Sequence, residues 1–138
     1  MSRMRKVLIA DDEVKVGQLV KRLIQWDRLG LTCIGLVTDG QTAYEKILSE
    51  SPDIVITDIR MPVLTGLEMI QKASEQGVKC HFIVVSGYKY FDYAQKALKY
   101  GVEDYLLKPI DEDELNRQLQ KIVAEEEQRE DKQKQVDQ

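Results

Sequence analysis

Long apolar runs are what this sequence lacks first. None approaches the roughly 20 residues that a membrane-spanning helix needs, so no segment is read as crossing a bilayer. An excess of positive charge is missing too. The formal net charge is -4, whereas a protein that grips a phosphate backbone unaided draws on clustered Lys and Arg; contact with DNA is expected only through an attached domain. Cysteine is scarce. The two present, Cys33 and Cys80, have neither the close spacing of a metal knuckle nor that of a redox pair, and their apolar, strand-like surroundings mark both as buried thiols. No export signal is visible: MSRMRKVLIADDE sets basic residues before a short apolar run, but the run ends in three acids and offers no small-residue cleavage site. A reducing cytoplasm is the expected compartment. The single histidine, His81, begins a strand-like segment and is read as filler at a strand edge, with no role assigned.

What is present suffices for one domain. The 138 residues, 43% hydrophobic and 32% charged, can build one sizeable core but hardly two. Apolar runs too short for helices stand at 6–10, 32–37, 54–57, 81–85 and 104–107. Between them, apolar residues recur at helical spacing: Val16, Leu19, Val20, Leu23 and Ile24, then Ala43, Ile47 and Leu48, then Leu67, Ile70 and Ala73. Five such βα units predict an α/β, doubly wound, five-stranded parallel sheet of flavodoxin-like type, because parallel strands need helical crossovers and both faces must be covered. In strand order 2-1-3-4-5 the switch point falls between strands 1 and 3, and ligands bind at the carboxyl ends of those strands.

Those ends carry chemistry. Strand 1 runs into Asp11-Asp12-Glu13, strand 3 into Asp58, strand 4 into Ser86-Gly87 and strand 5 into Lys108-Pro109. Carboxylates crowded on one rim repel unless a cation sits among them, and oxygen-only ligands on a wet rim favour Mg²⁺. Lys108 adds a fixed positive charge, and Ser86 adds a hydroxyl with a glycine behind it. Metal, ammonium and hydroxyl together cradle a phosphoryl group. Asp58, at the centre, can itself be the nucleophile, since aspartate forms aspartyl-phosphates. Each feature alone has a plainer reading: an acidic helix cap for the DDE cluster, a turn hydroxyl for Ser86, a solvated lysine for Lys108. Their coincidence at one rim favours the site.

At this point the chain resembles the receiver domain of two-component response regulators. The resemblance rests on Asp11-Asp12, on Asp58 followed by Met61-Pro62 and Gly66, on Ser86-Gly87, and on Asp104-Tyr105 leading to Lys108-Pro109, over roughly residues 5 to 124. It implies that Asp58 is the phosphoacceptor, served by a histidine kinase. Asp11, Asp12, Asp58 and the backbone carbonyl of Arg60 would hold Mg²⁺. Ser86 and Lys108 would contact the phosphoryl group, Tyr105 would change rotamer with Ser86, and the Lys108-Pro109 peptide would be cis. Such a domain accepts and slowly loses its phosphoryl group; it is not a turnover enzyme.

The segment from about Tyr90 to Tyr100 carries two apolar stripes, Phe91-Ala94-Leu98 and Tyr93-Ala97-Tyr100, where a surface helix needs one. The resemblance implies that this face, with strand 5 and the last helix, dimerises on phosphorylation, so Ala94 and Leu98 are expected to face outward at a homodimer interface. The last helix has a core stripe of Leu115, Leu119, Ile122 and Val123, after which AEEEQREDKQKQVDQ is almost purely charged and polar. This divides the chain into a domain over 1–124 and a charged linker over 125–138, helical at first through Glu125–Arg129 and Glu130–Lys134 pairs. The segments GYKYFDYAQKAL and DYLLKPID are similar to those of regulators with an AraC-type helix-turn-helix output domain. Two other functions remain open on the residues. One is a phosphatase of the haloacid dehalogenase type, whose nucleophile would follow strand 1. The other is an interaction domain that keeps the fold without the phosphate.

Overall fold

The computed structural model describes residues 3–87, 100 and 102–137. Its elements run β1 (Arg5–Ala10), α1 (Val14–Leu23), a single-turn α2 (Trp26–Leu29), β2 (Leu31–Val37), α3 (Gly40–Glu50), β3 (Ile54–Thr57), α4 (Gly66–Glu75), β4 (His81–Ser86), β5 (Val102–Leu107) and α5 (Glu112–Asp137). The five strands pair in parallel in the order β2-β1-β3-β4-β5, the doubly wound sheet that the alternating runs predict. The segment carrying Ala94 and Leu98 lies outside the described residues.

Strand periodicity splits the core in two. Leu8, Ala10, Val55, Phe82 and Val84 point to one face, against Ala43 and Ile47 of α3 and Met69, Ile70 and Ala73 of α4. Their neighbours Val7, Ile9, Ile54, Ile56, Ile83 and Val85 point to the other, against Val20 of α1 and Leu115, Leu119, Ile122 and Val123 of α5. Successive side chains of a strand face opposite ways, and a sheet covered on both sides needs apolar residues at both.

Several details depart from the sequence reading. Leu19 and Leu48 are 38% and 47% exposed, so the helical stripes are narrower than their periodicity suggests. Both cysteines are half-buried rather than buried. They also pack on opposite faces of the sheet, Cys33 with the α1/α5 layer and Cys80 with the α3/α4 layer. Burial pushes the Cys80 thiol up to about 12. Nor is His81 edge filler: β4 lies between β3 and β5, and the imidazole bonds to Glu103 and Glu126.

Capping fixes where the helices start. Asp39 accepts from the Thr42 amide at 2.7 Å ahead of α3, and Thr65 with Glu68 forms a reciprocal capping box on α4. Buried Asn116 stitches α5 to the end of α1. Its Nδ2 donates to the carbonyls of Leu23 and Glu112, both at 2.8 Å, while its Oδ1 accepts from the Gln25 amide at 2.8 Å.

The loop from β3 to α4 packs closely against backbone. Val63 sits at φ 70° and the Leu64 amide donates to the Pro62 carbonyl at 2.8 Å, a strained γ-turn for a β-branched residue. Gly66 then lies against the backbone of Asp58. A Cβ there would stand 2.0 Å from the Asp58 carbonyl oxygen, and backbone cannot swing aside as a side-chain tip can. Gly66→Ala is expected to lower stability by about 3 kcal/mol, read as a lower midpoint in urea unfolding; an unchanged midpoint would show that the loop yields freely.

Candidate functional site

Each acid at the rim is placed by backbone hydrogen bonds. The Asp11 amide donates to the Val37 carbonyl at 3.0 Å and the Asp58 amide to the Ala10 carbonyl at 2.9 Å, so the parallel ladder continues one residue past each strand and delivers both carboxyls to one edge. Asp58 Oδ1 accepts from the Ile59 amide at 2.6 Å, and the Thr57 hydroxyl donates to the Asp58 carbonyl at 2.8 Å. Asp11 accepts from the Glu13 amide at 2.9 Å. Asp11 and Asp58 are 5% and 6% exposed, Asp12 lies open to solvent, and the ligating atoms of all three come within 4.8 Å of one another.

Lys108 answers this charge from the far strand. Its amide donates to the Ser86 carbonyl at 3.0 Å, and the Lys108-Pro109 peptide is cis. The ammonium reaches Asp58 Oδ2 at 2.9 Å and Asp11 Oδ2 at 3.2 Å. Burial would lower the lysine pKa, but the bond to Asp58 and the charges of Asp58 and Asp11 outweigh it and hold it above its ordinary value. Asp11 moves up, first because it is buried and further because Asp58 is a like charge beside it, although the Glu13 amide and Lys108 pull the other way.

Ser86, at the end of β4, is 1% exposed, and its hydroxyl has no well-aligned hydrogen-bond partner. Such a group is costly unless something it can bond to arrives. Next to it, the Tyr105 hydroxyl donates to the Gly87 carbonyl at 2.7 Å, and burial with the Asp58 charge raises its pKa. Asp58, Ser86 and Lys108 open onto a cavity of about 420 Å³, with Asp12, Glu13 and Arg60 also on its wall.

Asp11, Asp12, Asp58, Ser86 and Lys108 thus converge on one rim, as the strand ends predict; of the residues that the resemblance added, Arg60 lines the same cavity and Tyr105 lies within β5 with its hydroxyl on the Gly87 carbonyl. Thr57 and the Ile59 amide, which orient Asp58, were not foreseen: a threonine inside an apolar strand carries no signal beyond β-propensity. The donor set fits a magnesium ion. The Lys108 ammonium pairs with Asp11 and Asp58, Asp12 stands within reach of both acids, and every ligating side-chain atom of this cluster is oxygen.

Comparison with known proteins identifies the family to which this fold belongs. The family model described as the response regulator receiver domain matches residues 7–120. The transcriptional regulatory protein YesN of Bacillus subtilis (strain 168) is 46% identical over 122 residues, which cover 88% of this chain and 33% of that protein. The transcriptional regulatory protein HptR of Staphylococcus aureus (strain NCTC 8325 / PS 47) is 35% identical over 120 residues, 87% of this chain and 47% of HptR. The chain therefore spans a third to about half the length of these relatives. Among solved structures, the REC domain of AraT, a response regulator from Geobacillus stearothermophilus, matches with a TM-score of 0.87 at 36% identity, covering 92% of this chain and 98% of that one. A two component transcriptional regulator AraC from Clostridium phytofermentans ISDg matches with a TM-score of 0.74 at 30% identity, covering 87% and 96%. The chain belongs to the response regulator receiver domains, the signalling modules of two-component systems whose general function is a phosphorylation switch.

Proposed function

We propose that Asp58 accepts the phosphoryl group and that residues 1–124 form the unit that responds to it. An Asp58 carboxylate oxygen attacks phosphorus in line while the bond from phosphorus to the kinase histidine nitrogen breaks, leaving an aspartyl-phosphate and a free imidazole. Magnesium bound by Asp11, Asp12, Asp58 and the Arg60 carbonyl would supply positive charge to the phosphoryl oxygens. Lys108, already 2.9 Å from Asp58, follows the charge onto those oxygens, and the Ser86 hydroxyl donates to one of them. Slow loss of the group to water resets the switch. The observation that carries this assignment is the cavity shared by Asp58, Ser86 and Lys108, in which the Lys108 ammonium already lies 2.9 Å from the Asp58 carboxylate.

Intact mass after treatment with acetyl phosphate and Mg²⁺ tests it. One added phosphoryl group is expected, and both Asp58→Asn and chelation of the metal should abolish the addition. Undiminished labelling of the Asn variant would move the acceptor elsewhere. Steady release of phosphate from phosphoesters would favour the haloacid dehalogenase alternative.

The response is expected to travel through Ser86 and Tyr105. When the serine hydroxyl is drawn to the phosphoryl oxygens, space opens at the rim, and the tyrosine can leave the Gly87 carbonyl and turn inward. That movement couples the acid site to β5, α5 and the segment between β4 and β5, where Ala94 and Leu98 form the outward stripe of a homodimer. Linker 125–138 then carries the change to an output domain of AraC type, through which DNA is contacted. The names of the similar regulators support this. A stripe built on so few small apolar residues would give a weak interface, so the activated chain should dimerise only at high concentration. In sedimentation, Leu98→Asp should leave phosphorylation intact and reduce the dimer fraction; equal fractions in both proteins would remove this stripe from the mechanism.

A further inference from the structure

Past Val123 the last helix has no apolar stripe left, yet it continues to Asp137. Among the described residues, charged contacts at Arg5 and at His81 hold it to the amino-terminal edge of the sheet, at the opposite end from the acid cluster. At the head of β1, Arg5 is 1% exposed and its Nη2 lies 3.0 Å from Glu130 Oε1, while its buried Nε has no hydrogen-bond partner. A guanidinium does not shed its charge, so burying one demands a counter-ion, and the helix supplies it. At the head of β4, His81 lies between two carboxylates. Its Nδ1 is 2.5 Å from Glu103 Oε1 of β5, and its Nε2 is 2.5 Å from Glu126 Oε1 of α5. Glu126 is itself 5% exposed, and its second oxygen accepts from Arg129 at 2.7 Å.

A neutral imidazole has one donor nitrogen and one acceptor nitrogen, so one of these carboxylates would confront a lone pair; only the imidazolium donates to both. The ligating atoms of His81, Glu103 and Glu125 also come within 4.8 Å of one another. A divalent ion there would take one ring nitrogen and displace a glutamate from it, whereas a proton satisfies both contacts at once. We propose that protonated His81 is a latch that docks the polar second half of α5 on the sheet, so that pH sets how firmly residues 125–137 are held, independently of the state of Asp58. Arg5–Glu130 is the part of the contact that does not involve His81.

The groups facing the imidazole are Glu103 from β5 and Glu125, Glu126 and Arg129 from α5. The Arg3–Asp53 pair stands at the head of β3, where the Asp53 carbonyl also accepts the His81 amide at 2.9 Å. Burial opposes charge on His81, but the bonds to Glu126 and Glu103 outweigh it and raise the pKa above its ordinary 6.5. Burial opposes the Glu126 charge as well, and His81 and Arg129 overcome it, lowering that pKa below its ordinary 4.5. The contribution of His81 is therefore complete below its ordinary value and is lost as pH rises through the raised one. The contribution of Glu126 is lost only as pH falls through its lowered value. The latch is closed between the two.

Amide hydrogen exchange over residues 127–134 of the whole chain, corrected for the intrinsic rate, reads the latch. Between about pH 6 and about pH 9, exchange in the wild type should accelerate roughly three- to tenfold. His81→Gln should exchange fast at both values and lose the pH dependence, while Glu130→Gln should be faster at both and keep it. Amides of β1 and β3 report whether the core is intact; if His81→Gln disturbs them, Glu126→Gln carries the same test without touching the strand. Equal wild-type protection at both pH values, or a pH dependence that survives in His81→Gln and Glu126→Gln, would overturn the latch. So would added zinc that slows the wild-type arm but not the His81→Gln arm, since a metal would then stand in place of the proton.

Discussion

Two carboxylates, Asp11 and Asp58, are held almost out of water at the same edge of a sheet, and one ammonium stands between them. Burial disfavours the charge on Asp11, and the like charge of Asp58 beside it adds to the effect. The raised pKa of Asp11 is that cost made visible. Much of the surrounding structure keeps the arrangement from relaxing. Ladder bonds fix the two acids, the β3–α4 loop presses Gly66 against Asp58, and the Lys108 amide is tied to Ser86. The Lys108 ammonium, 2.9 Å from Asp58 and 3.2 Å from Asp11, is held by both acids at once.

The sheet was legible because a strand buried on both faces has to be apolar at consecutive positions, which leaves short runs that no surface helix would show. The predicted 54–57 run coincides with β3, and the others differ by one or two residues at an end. The rim was legible for a related reason: a charge or hydroxyl that ends an apolar run has its location fixed by the strand. Single-turn α2 and the exposure of Leu19 and Leu48 were not legible, since they depend on how wide a stripe each helix can bury, and periodicity gives only its direction. Asn116 looks like any polar residue of an amphipathic helix until Leu23 and Gln25 arrive beside it.

The charged tail was the least readable part. Glu126 meets His81 across 45 positions of chain, and Glu130 meets Arg5 across 125. Nothing in a stretch without hydrophobic period announces such partners, and a basic residue at the head of a strand reads as solvated. Where pairing within the helix was expected between Glu125 and Arg129, Arg129 instead pairs with Glu126. That choice places two charges of α5 toward the sheet in a region whose composition suggests a fully hydrated surface. β5 links the two ends of the molecule, with Glu103 at its head, Tyr105 in the middle and Lys108 just past its tail.

Length gives the last helix a mechanical property. At about 1.5 Å per residue, its 26 residues make a rod of roughly 39 Å, anchored by side chains in its first half. From Val123 to Asp137 about 21 Å of it extend past the apolar core. A tilt of about 5° at the sheet would displace the tip by about 2 Å, comparable to the shifts by which packed helices change partners. Small rotations at the anchored end are thus magnified in proportion to the overhang, and the two charged contacts set where the fulcrum lies: near Val123 when they are open, and near Glu130 when they are closed.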